Sequence, residues 1–278
     1  MSPRVLSEQA CMGGVQGFYE LDSAACAGPM RYGLFRPPQA GPRPTVFFLA
    51  GLTCNEQTFA IKAGAQRLAA RLGLCLVTPD TSPRATRLLG DDADCDFGQG
   101  AGFYLDATAA PWAGVYGMAR FVGEELPQVV VDHHGADPAR LGIGGHSMGG
   151  HGALVLGLRH PQRFRSISAF APICAPMSCP WGEKALSGYL GPDRRTWAAW
   201  DATALLAAGR RSGEILVDQG LSDAFLEQQL HPHLLEQACA QAGQPLRLRR
   251  HAGYDHSYWF ISTFVEDHLH HHARLLQE

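Results

Sequence analysis

The stretch Gly142–Gly152 reads GIGGHSMGGHG. Its central residues, Gly145–Gly149, match the nucleophile-elbow pattern G-x-S-x-G, in which a serine stands at the tip of a tight turn between a strand and a helix. Both flanking positions are glycine because a side chain there would collide with the neighbouring strand or helix. The pattern therefore predicts a nucleophile at Ser147, although so short a pattern also arises by chance in a chain with 32 glycines.

The residues on either side of this turn support the same interpretation. Arg140–Ile143 is predicted to be the end of a short strand, and the apolar run Ala153–Leu158 is predicted to be a helix that stops near Pro161. The alternative is a glycine-rich turn that holds a serine by coincidence. The rest of the chain decides between the two.

Short apolar runs alternate with helical patterns along most of the chain. Strands are predicted at Arg31–Phe35, Thr45–Ala50, Leu74–Thr78, Ser166–Phe170, Glu214–Asp218 and Leu246–His251. Helices are predicted at Gln57–Leu72, Trp112–Leu126, Ala224–Ala242 and Tyr258–Leu276. This alternation predicts an α/β fold with a mostly parallel central sheet and helices on both faces. A ligand would then bind at the carboxyl ends of the strands.

The composition is that of an ordinary globular protein. Of the 278 residues 46% are hydrophobic and 18% are charged, and the mean hydropathy is −0.10. No linker or internal repeat divides the chain, so we expect a single domain over residues 1–278, with loop insertions around 81–109 and 174–204.

Charge and cysteine content limit the possible partners. A net charge of −3 and a pI near 6.5 provide no basic surface for nucleic acid. Met1–Tyr19 lacks the apolar core of a signal peptide, and no apolar run is long enough to span a bilayer. The eight cysteines contain no C-x-x-C pair and are expected to be reduced thiols of a cytosolic protein.

The predicted strand ends supply the groups that would activate Ser147. A serine needs an imidazole to accept its proton, and the imidazole needs a carboxylate to fix its tautomer. In folds with this elbow the chain order is serine, acid, histidine. Asp223 follows the strand Glu214–Asp218, and His256 follows the strand Leu246–His251. Asp223 and His256 are therefore predicted to be the acid and the base.

Other residues compete for these roles. Asp218 is the rival acid, but it lies before the turn and not within it. Asp255 adjoins His256, and neighbours in a turn rarely face each other, so Asp255 is predicted to cap the loop. The remaining histidines near the strand ends are predicted to have no catalytic role: His146, His151 and His251.

Acyl transfer also requires an oxyanion hole, which consists of two N–H groups directed at the developing negative charge. One is predicted to be the backbone N–H of Met148, the residue after the nucleophile. The other is predicted to be that of Leu52, in the loop after the strand Thr45–Ala50.

Longer segments resemble a known family. They are GLTCNEQTF (51–59), PDTSPR (79–84), DFGQGAGFYLDAT (96–108), GHSMGGHGAL (145–154), SAFAPICAP (168–176), CPWG (179–182), SGYLG (187–191), DQGLSDAFL (218–226) and GYDHSYWFI (253–261). Together they resemble the S-formylglutathione hydrolase family, also called esterase D, from about Pro44 to the end of the chain. No predicted catalytic position departs from the family pattern.

The resemblance implies an α/β-hydrolase fold and a cytosolic thioesterase that uses no cofactor. It implies hydrolysis of S-formylglutathione to formate and glutathione in formaldehyde detoxification, side activity on small acyl esters, and a homodimer. Two alternatives stay open. One is a broad-specificity short-chain carboxylesterase, and the other is a hydrolase-like protein that binds a partner without catalysis.

Two residues are candidates for contact with the substrate. The resemblance suggests that Trp181 lines the acyl pocket, although an ordinary half-buried tryptophan fits the sequence equally well. Cys54 lies two residues beyond Leu52, and its polar neighbours favour an exposed thiol near the bound acyl group. A free cysteine is more often a small buried residue, and the mechanism needs no second nucleophile.

No metal or cofactor site is predicted. Asp92–Asp96 begins like a calcium loop, but Phe97 and Phe103 occupy the positions that require glycine and glutamate. The glycines at 98, 100 and 102 lack the context of a dinucleotide site. The last predicted helix contains a histidine tract, which comprises His268, His270, His271 and His272. These side chains are predicted to lie on a solvated face of the helix and to bind Ni or Zn at most adventitiously.

Overall fold

A single mixed sheet forms the centre of the molecule in the computed structural model, which describes residues 2–86 and 88–277. Its strands are β1 (Arg4–Cys11), β2 (Gly14–Ser23), β3 (Gly28–Arg36), β4 (Arg43–Leu49), β5 (Cys75–Pro79), β6 (Ala136–His146), β7 (Phe164–Phe170), β8 (Ile215–Gly220) and β9 (Leu246–His251). They lie in the order β1-β2-β3-β5-β4-β6-β7-β8-β9. In this order, adjacent strands from β5 through β4 to β9 pair in parallel. The pairs β1–β2, β2–β3 and β3–β5 are antiparallel.

Helices cover the parallel part of the sheet. They are α1 (Thr58–Lys62), α2 (Gln66–Leu72), α3 (Met118–Arg120), α4 (Leu126–His134), α5 (Met148–Arg159), α6 (Pro180–Leu190), α7 (Arg194–Trp197), α8 (Ala202–Ala207), α9 (Pro232–Ala242) and α10 (Tyr258–Gln277). Because helices cover both faces, β5 and β8 are buried along their whole length. The predicted α/β architecture is confirmed.

The parallel strands bring four loops to one edge of the sheet. β4 ends at Leu49, β6 at His146, β8 at Gly220 and β9 at His251. Since these strands all run in the same direction, the loops that follow them lie side by side. We propose that the chain forms one domain, because this one sheet contains strands from both its N-terminal and C-terminal parts.

The two N-terminal strands are absent from the sequence prediction. β1 is an edge strand, and most of its residues are exposed, so it has no apolar run that could reveal it. Ion pairs hold the adjoining surface together, with Glu20 bound by Arg4 at 2.5 Å and by Arg31 at 3.1 Å. Charged pairs of this kind do not produce a strand pattern in the sequence.

Three predicted helices are shorter or broken. Residues 57–72 form α1 and α2, because Gly64 interrupts them with a φ of 70°. The helix predicted from Trp112 begins only at Met118, and a π-helical turn then joins α3 to α4. The helix predicted over 224–242 breaks at His231, whose φ is 47°. The predicted insertion at 174–204 is itself helical, since it holds α6 and α7.

The prediction that the histidine tract lies on a solvated face is wrong for three of its four residues. His268, His271 and His272 are buried, whereas His270 is exposed. A helix repeats every 3.6 residues, so positions 268, 271 and 272 share the face of α10 that packs on β6, β7 and β8.

Hydrogen bonds to the sheet explain why polar histidines occupy this buried face. His272 Nδ1 lies 2.7 Å from Ser166 Oγ, and its Nε2 lies 2.9 Å from Ser168 Oγ. Glycine provides the space on the neighbouring strand, because a Cβ on Gly142 would lie 2.8 Å from His272 Nδ1 and one on Gly144 would lie 3.3 Å from Nε2. His272 therefore fits into a slot that β6 and β7 form together.

These buried histidines make stability depend on pH. Burial lowers the pKa of His271 to about 4. Above a pH of about 6.5 the ring is neutral in both folded and unfolded chains. As the pH falls from there towards 4, the unfolded chain takes up a proton that the folded chain does not, so the free energy of unfolding decreases.

We predict that His271→Gln reduces this acid sensitivity. Between pH 7 and pH 5 its free energy of unfolding should fall less than that of the wild type, by on the order of 2 kcal/mol. Urea unfolding at the two pH values measures the difference. His270→Gln, on the exposed face of the same helix, is the matched control and should behave like the wild type; an equal effect of both substitutions would contradict the assignment.

Candidate active site

Ser147 occupies a strained turn between β6 and α5. Its φ is 58° and its ψ is −119°, a backbone conformation that residues other than glycine rarely adopt. A Cβ on Gly149 would overlap the carbonyl oxygen of Leu49, and a Cβ on Gly145 would overlap that of Gly149. Ser147 N–H donates to the carbonyl of Phe170 on the adjacent strand at 3.0 Å. The geometry is that of a nucleophile elbow.

Asp223 and His256 form a close pair. His256 Nδ1 lies 2.5 Å from Asp223 Oδ2, and the carboxylate is buried. Asp223 also accepts hydrogen bonds from the N–H of Phe225 at 2.9 Å and from Gln219 Nε2 at 3.3 Å. Because Nδ1 faces a carboxylate it carries the proton, and Nε2 is left as the acceptor.

One cavity contains both Ser147 and His256. Its volume is about 360 Å³. It is lined by Gly51, Leu52, Thr53, Cys54, Thr58, Lys62, Cys95, Asp96, His146, Ser147, Trp181, Phe225, His256 and Tyr258. The Ser147 hydroxyl makes no hydrogen bond to any residue that the structure describes. Such bonds often tighten only when substrate binds.

His146 forms a wall of the site behind His256. The two rings lie 4.4 Å apart, centroid to centroid. Burial and the neighbouring His256 hold the pKa of His146 well below its usual range, so the ring stays neutral. It has no hydrogen-bond partner at either nitrogen among residues 2–86 and 88–277. His151 is likewise buried, and it contacts the carbonyl of Phe103 at 3.2 Å.

The rival acid Asp218 is occupied elsewhere. Arg249 holds both of its oxygens, at 2.6 and 2.5 Å, and His268 Nε2 lies 3.2 Å from Oδ2. Burial opposes its charge, but the hydrogen bonds from His268 and Arg249 prevail and keep the pKa of Asp218 far below its usual value. His251 Nε2 lies 3.2 Å away without forming a hydrogen bond. The structure therefore brings Asp223, and not Asp218, to His256.

Two backbone N–H groups are available beside the nucleophile. Met148 is the first residue of α5, where the helix leaves N–H groups without an internal partner. In the opposing loop, Thr53 N–H donates to Gly100 and Cys54 N–H donates to Gly51. Among the described loop contacts, Leu52 N–H has no backbone acceptor. This is the arrangement expected of an oxyanion hole.

Aromatic side chains form the apolar side of the cavity. The Trp181 ring lies 4.8 Å from that of Phe225, which in turn lies 5.0 Å from His256. Trp181 was identifiable from the sequence, but Phe225 was not. Phe225 directly follows the loop of Asp223, and that proximity is the signal that could have found it.

Cys54 lines the cavity but is less exposed than the sequence suggests. Its neighbours Thr53 and Asn55 are exposed, whereas Glu56 is buried and Cys54 itself is half-buried. Burial raises the pKa of its thiol. A second thiol in the lining, Cys95, is exposed.

A larger cleft of about 650 Å³ lies at the other end of the sheet. Leu141 in β6 and Arg159 at the end of α5 line it, together with Arg163 and Arg210. It contains His160 but no serine or cysteine that a base could activate. The chemistry is therefore assigned to the smaller cavity.

The chain is similar to known proteins over most of its length. A family model described as “Putative esterase” matches residues 23–271. The S-formylglutathione hydrolases of Mus musculus and Rattus norvegicus are 48% and 47% identical to the chain, over 99% of each sequence. The chain belongs to the S-formylglutathione hydrolase family.

A solved structure of the family has the same fold. The S-formylglutathione hydrolase of Agrobacterium tumefaciens is 46% identical and matches with a TM-score of 0.96, over 98% of this chain and 99% of the other. The α/β-hydrolase fold is thereby confirmed. In the described part of the chain, no helix combines the length and the apolar character that crossing a bilayer requires.

We predict that the two acids have separable roles. Asp223→Asn should lower kcat about 10⁴-fold, because the amide favours the wrong imidazole tautomer. Asp218→Asn should instead lower the free energy of unfolding by about 3 kcal/mol, because it removes the buried charge that Arg249 and His268 bind. Steady-state kinetics and urea unfolding of both variants test this. A large loss of kcat in folded Asp218→Asn would transfer the role of the acid to Asp218.

We also predict that a bulky maleimide inhibits the protein by modifying Cys54. The reaction should accelerate as the pH rises, since the raised pKa leaves little thiolate at pH 7. Cys54→Ser should retain most of its activity and resist the reagent, because no step needs a thiol. Cys95→Ser is the control and should remain sensitive. If Cys95→Ser resisted the reagent and Cys54→Ser did not, a label on the exposed thiol would be what closes the cavity.

Proposed function

We propose that the protein hydrolyses S-formylglutathione to glutathione and formate through an acyl-Ser147 intermediate. The observation that carries the proposal is the His256–Asp223 pair of 2.5 Å, which shares one cavity with a strained Ser147. The family supplies the substrate, because the relatives that match over the full length are S-formylglutathione hydrolases.

The first half-reaction transfers the formyl group to the serine. His256 Nε2 takes the proton of Ser147 Oγ as the oxygen attacks the thioester carbonyl. The carbonyl oxygen becomes an oxyanion, and the N–H groups of Leu52 and Met148 donate hydrogen bonds to it. The carbon–sulfur bond then breaks, and the proton on His256 passes to the sulfur, so that glutathione leaves as a thiol.

The second half-reaction releases the acid. His256 takes a proton from water, and the resulting hydroxide attacks the formyl ester of Ser147. The ester bond breaks, and the proton returns to Ser147 Oγ, which regenerates the enzyme and frees formate. Asp223 keeps its charge throughout and stabilises the imidazolium that forms twice in each cycle.

The cavity supports a small acyl group. Trp181 and Phe225 lie beside His256 and form an apolar wall of the cavity. An apolar wall discriminates only modestly for each added methylene, so side activity on acetate esters is expected. Two further parts of the proposal rest on the family resemblance alone: a cytosolic location and a homodimer.

We predict that the triad acts as a unit on S-formylglutathione. Ser147→Ala and His256→Ala should each lower kcat by about 10⁶-fold, and the double variant should lose little more, because neither residue works without the other. The kcat of all three variants tests this. Losses that multiply would contradict the assignment.

The same measurements decide the substrate. For the wild type, kcat/KM for S-formylglutathione should exceed that for a nitrophenyl acetate by about 10²-fold or more, because binding of the tripeptide contributes to the transition state. Comparable values would favour the broad carboxylesterase.

A further inference from the structure

One ammonium group lines the active-site cavity. The lining contains the cationic side chain of Lys62 and the carboxylate of Asp96. Asp96 shares Lys184 with Asp94, at 2.5 and 3.0 Å from its Nζ. No carboxylate of residues 2–86 and 88–277 forms an ion pair with Lys62. The Lys62 ammonium is therefore available to bind an anion at a cavity that opens to solvent.

A second cavity adjoins the first at this lysine. It has a volume of about 620 Å³ and is lined by Lys62, Ser257, Tyr258, Trp259 and Ser262. Lys62 and Tyr258 line both cavities, so the two form one continuous surface that leads outward from Ser147. Trp259 is 82% exposed, which is unusual for so large an apolar side chain.

The fold positions Lys62 between the two cavities. It is the last residue of α1, and its Nζ lies 5.7 Å from the centroid of the Tyr258 ring, within the range of a cation–π contact. The Tyr258 hydroxyl is buried and has no hydrogen-bond partner among the described residues. A ligand that reached this junction would thus meet the ammonium group that lies beside the Tyr258 ring.

The proposed substrate has the complementary chemistry. Both carboxylates of the glutathione portion are ionised at neutral pH. The formyl group needs only the small apolar space beside Trp181, whereas the tripeptide must extend out of it. An anionic, extended leaving group therefore fits a route along the ammonium of Lys62, two serine residues and the exposed indole of Trp259.

We propose that the Lys62 ammonium binds a carboxylate of the glutathione leaving group, and that the cavity between Lys62 and Trp259 receives that end of the tripeptide. The proposal rests on the proposed function and adds to it the residue that distinguishes glutathione thioesters from neutral esters. It makes Lys62 a determinant of specificity, with no part in bond making or breaking.

Two substrates that differ only in charge test this. One is S-formylglutathione, and the other is its bis-amide, in which both carboxylates are neutral. In Lys62→Met the ratio of kcat/KM for the first to that for the second should fall about tenfold relative to the wild type, mainly through KM, as expected for one charge-assisted hydrogen bond. Lys62→Arg should restore most of the ratio.

Salt and a distant charge provide the controls. The wild-type ratio should decrease as ionic strength rises, while that of Lys62→Met should not. Only the wild type has an ion pair between Lys62 and a substrate carboxylate that salt can screen. Arg195→Met removes an exposed positive charge that lines neither cavity and should keep the wild-type ratio.

The outcomes separate the two proposals. If Lys62→Met keeps the wild-type ratio while the wild type hydrolyses both thioesters, the role of Lys62 is refuted and the proposed function stands. If the wild type hydrolyses nitrophenyl acetate but neither thioester, both proposals fall together.

Discussion

The strained backbone of Ser147 is the constraint on which the site depends. A φ of 58° places the hydroxyl outside the regular course of both β6 and α5. It persists only because Gly145 and Gly149 let the turn pass against the carbonyl of Leu49. The N–H of Met148 follows at once, in the first turn of α5, where the helix has no internal partner for it. One local distortion thus sets the position of the proposed nucleophile and of one proposed oxyanion donor.

Asp218 in β8 and Asp223 in the loop after it bind different partners. Asp218 lies within the strand and binds Arg249 of β9 and His268 of α10. His256 lies in the loop between β9 and α10, so both elements that flank it are fastened to one buried carboxylate. Asp223, beyond the strand end, is left free to orient the imidazole. A single strand and its loop therefore carry both the carboxylate that fastens the neighbours of His256 and the carboxylate that pairs with its imidazole.

Much of this was predictable because it depends on local pattern. The buried parallel strands consist of short apolar runs. Because they run in one direction, the loops that carry Ser147, Asp223 and His256 were expected at one edge of the sheet. The edge strand β1 was missed, because an exposed strand with charged partners has no apolar signature. The lining residues Lys62 and Tyr258 were missed as well. They come from separate helices, and only the folded chain brings them to one cavity.

The histidine tract shows where composition misleads. Four histidines in five positions suggest a polar surface, yet periodicity places three of them against the sheet. There the hydroxyls of Ser166 and Ser168 pair with His272, the carbonyl of Ile167 with His271, and Asp218 with His268. A buried polar group is costly unless it is paired, so sequence content alone could not indicate that the sheet supplied the partners.

The slot around His272 also has an evolutionary consequence. Its ring nitrogens meet Ser166 and Ser168, and its ring edge fits where Gly142 and Gly144 have no side chain. Any single exchange among these five positions would leave a buried nitrogen or hydroxyl unpaired or would force a clash. Across relatives, the five positions should therefore covary, changing together as a set or staying fixed together, even though none of them lines the active-site cavity.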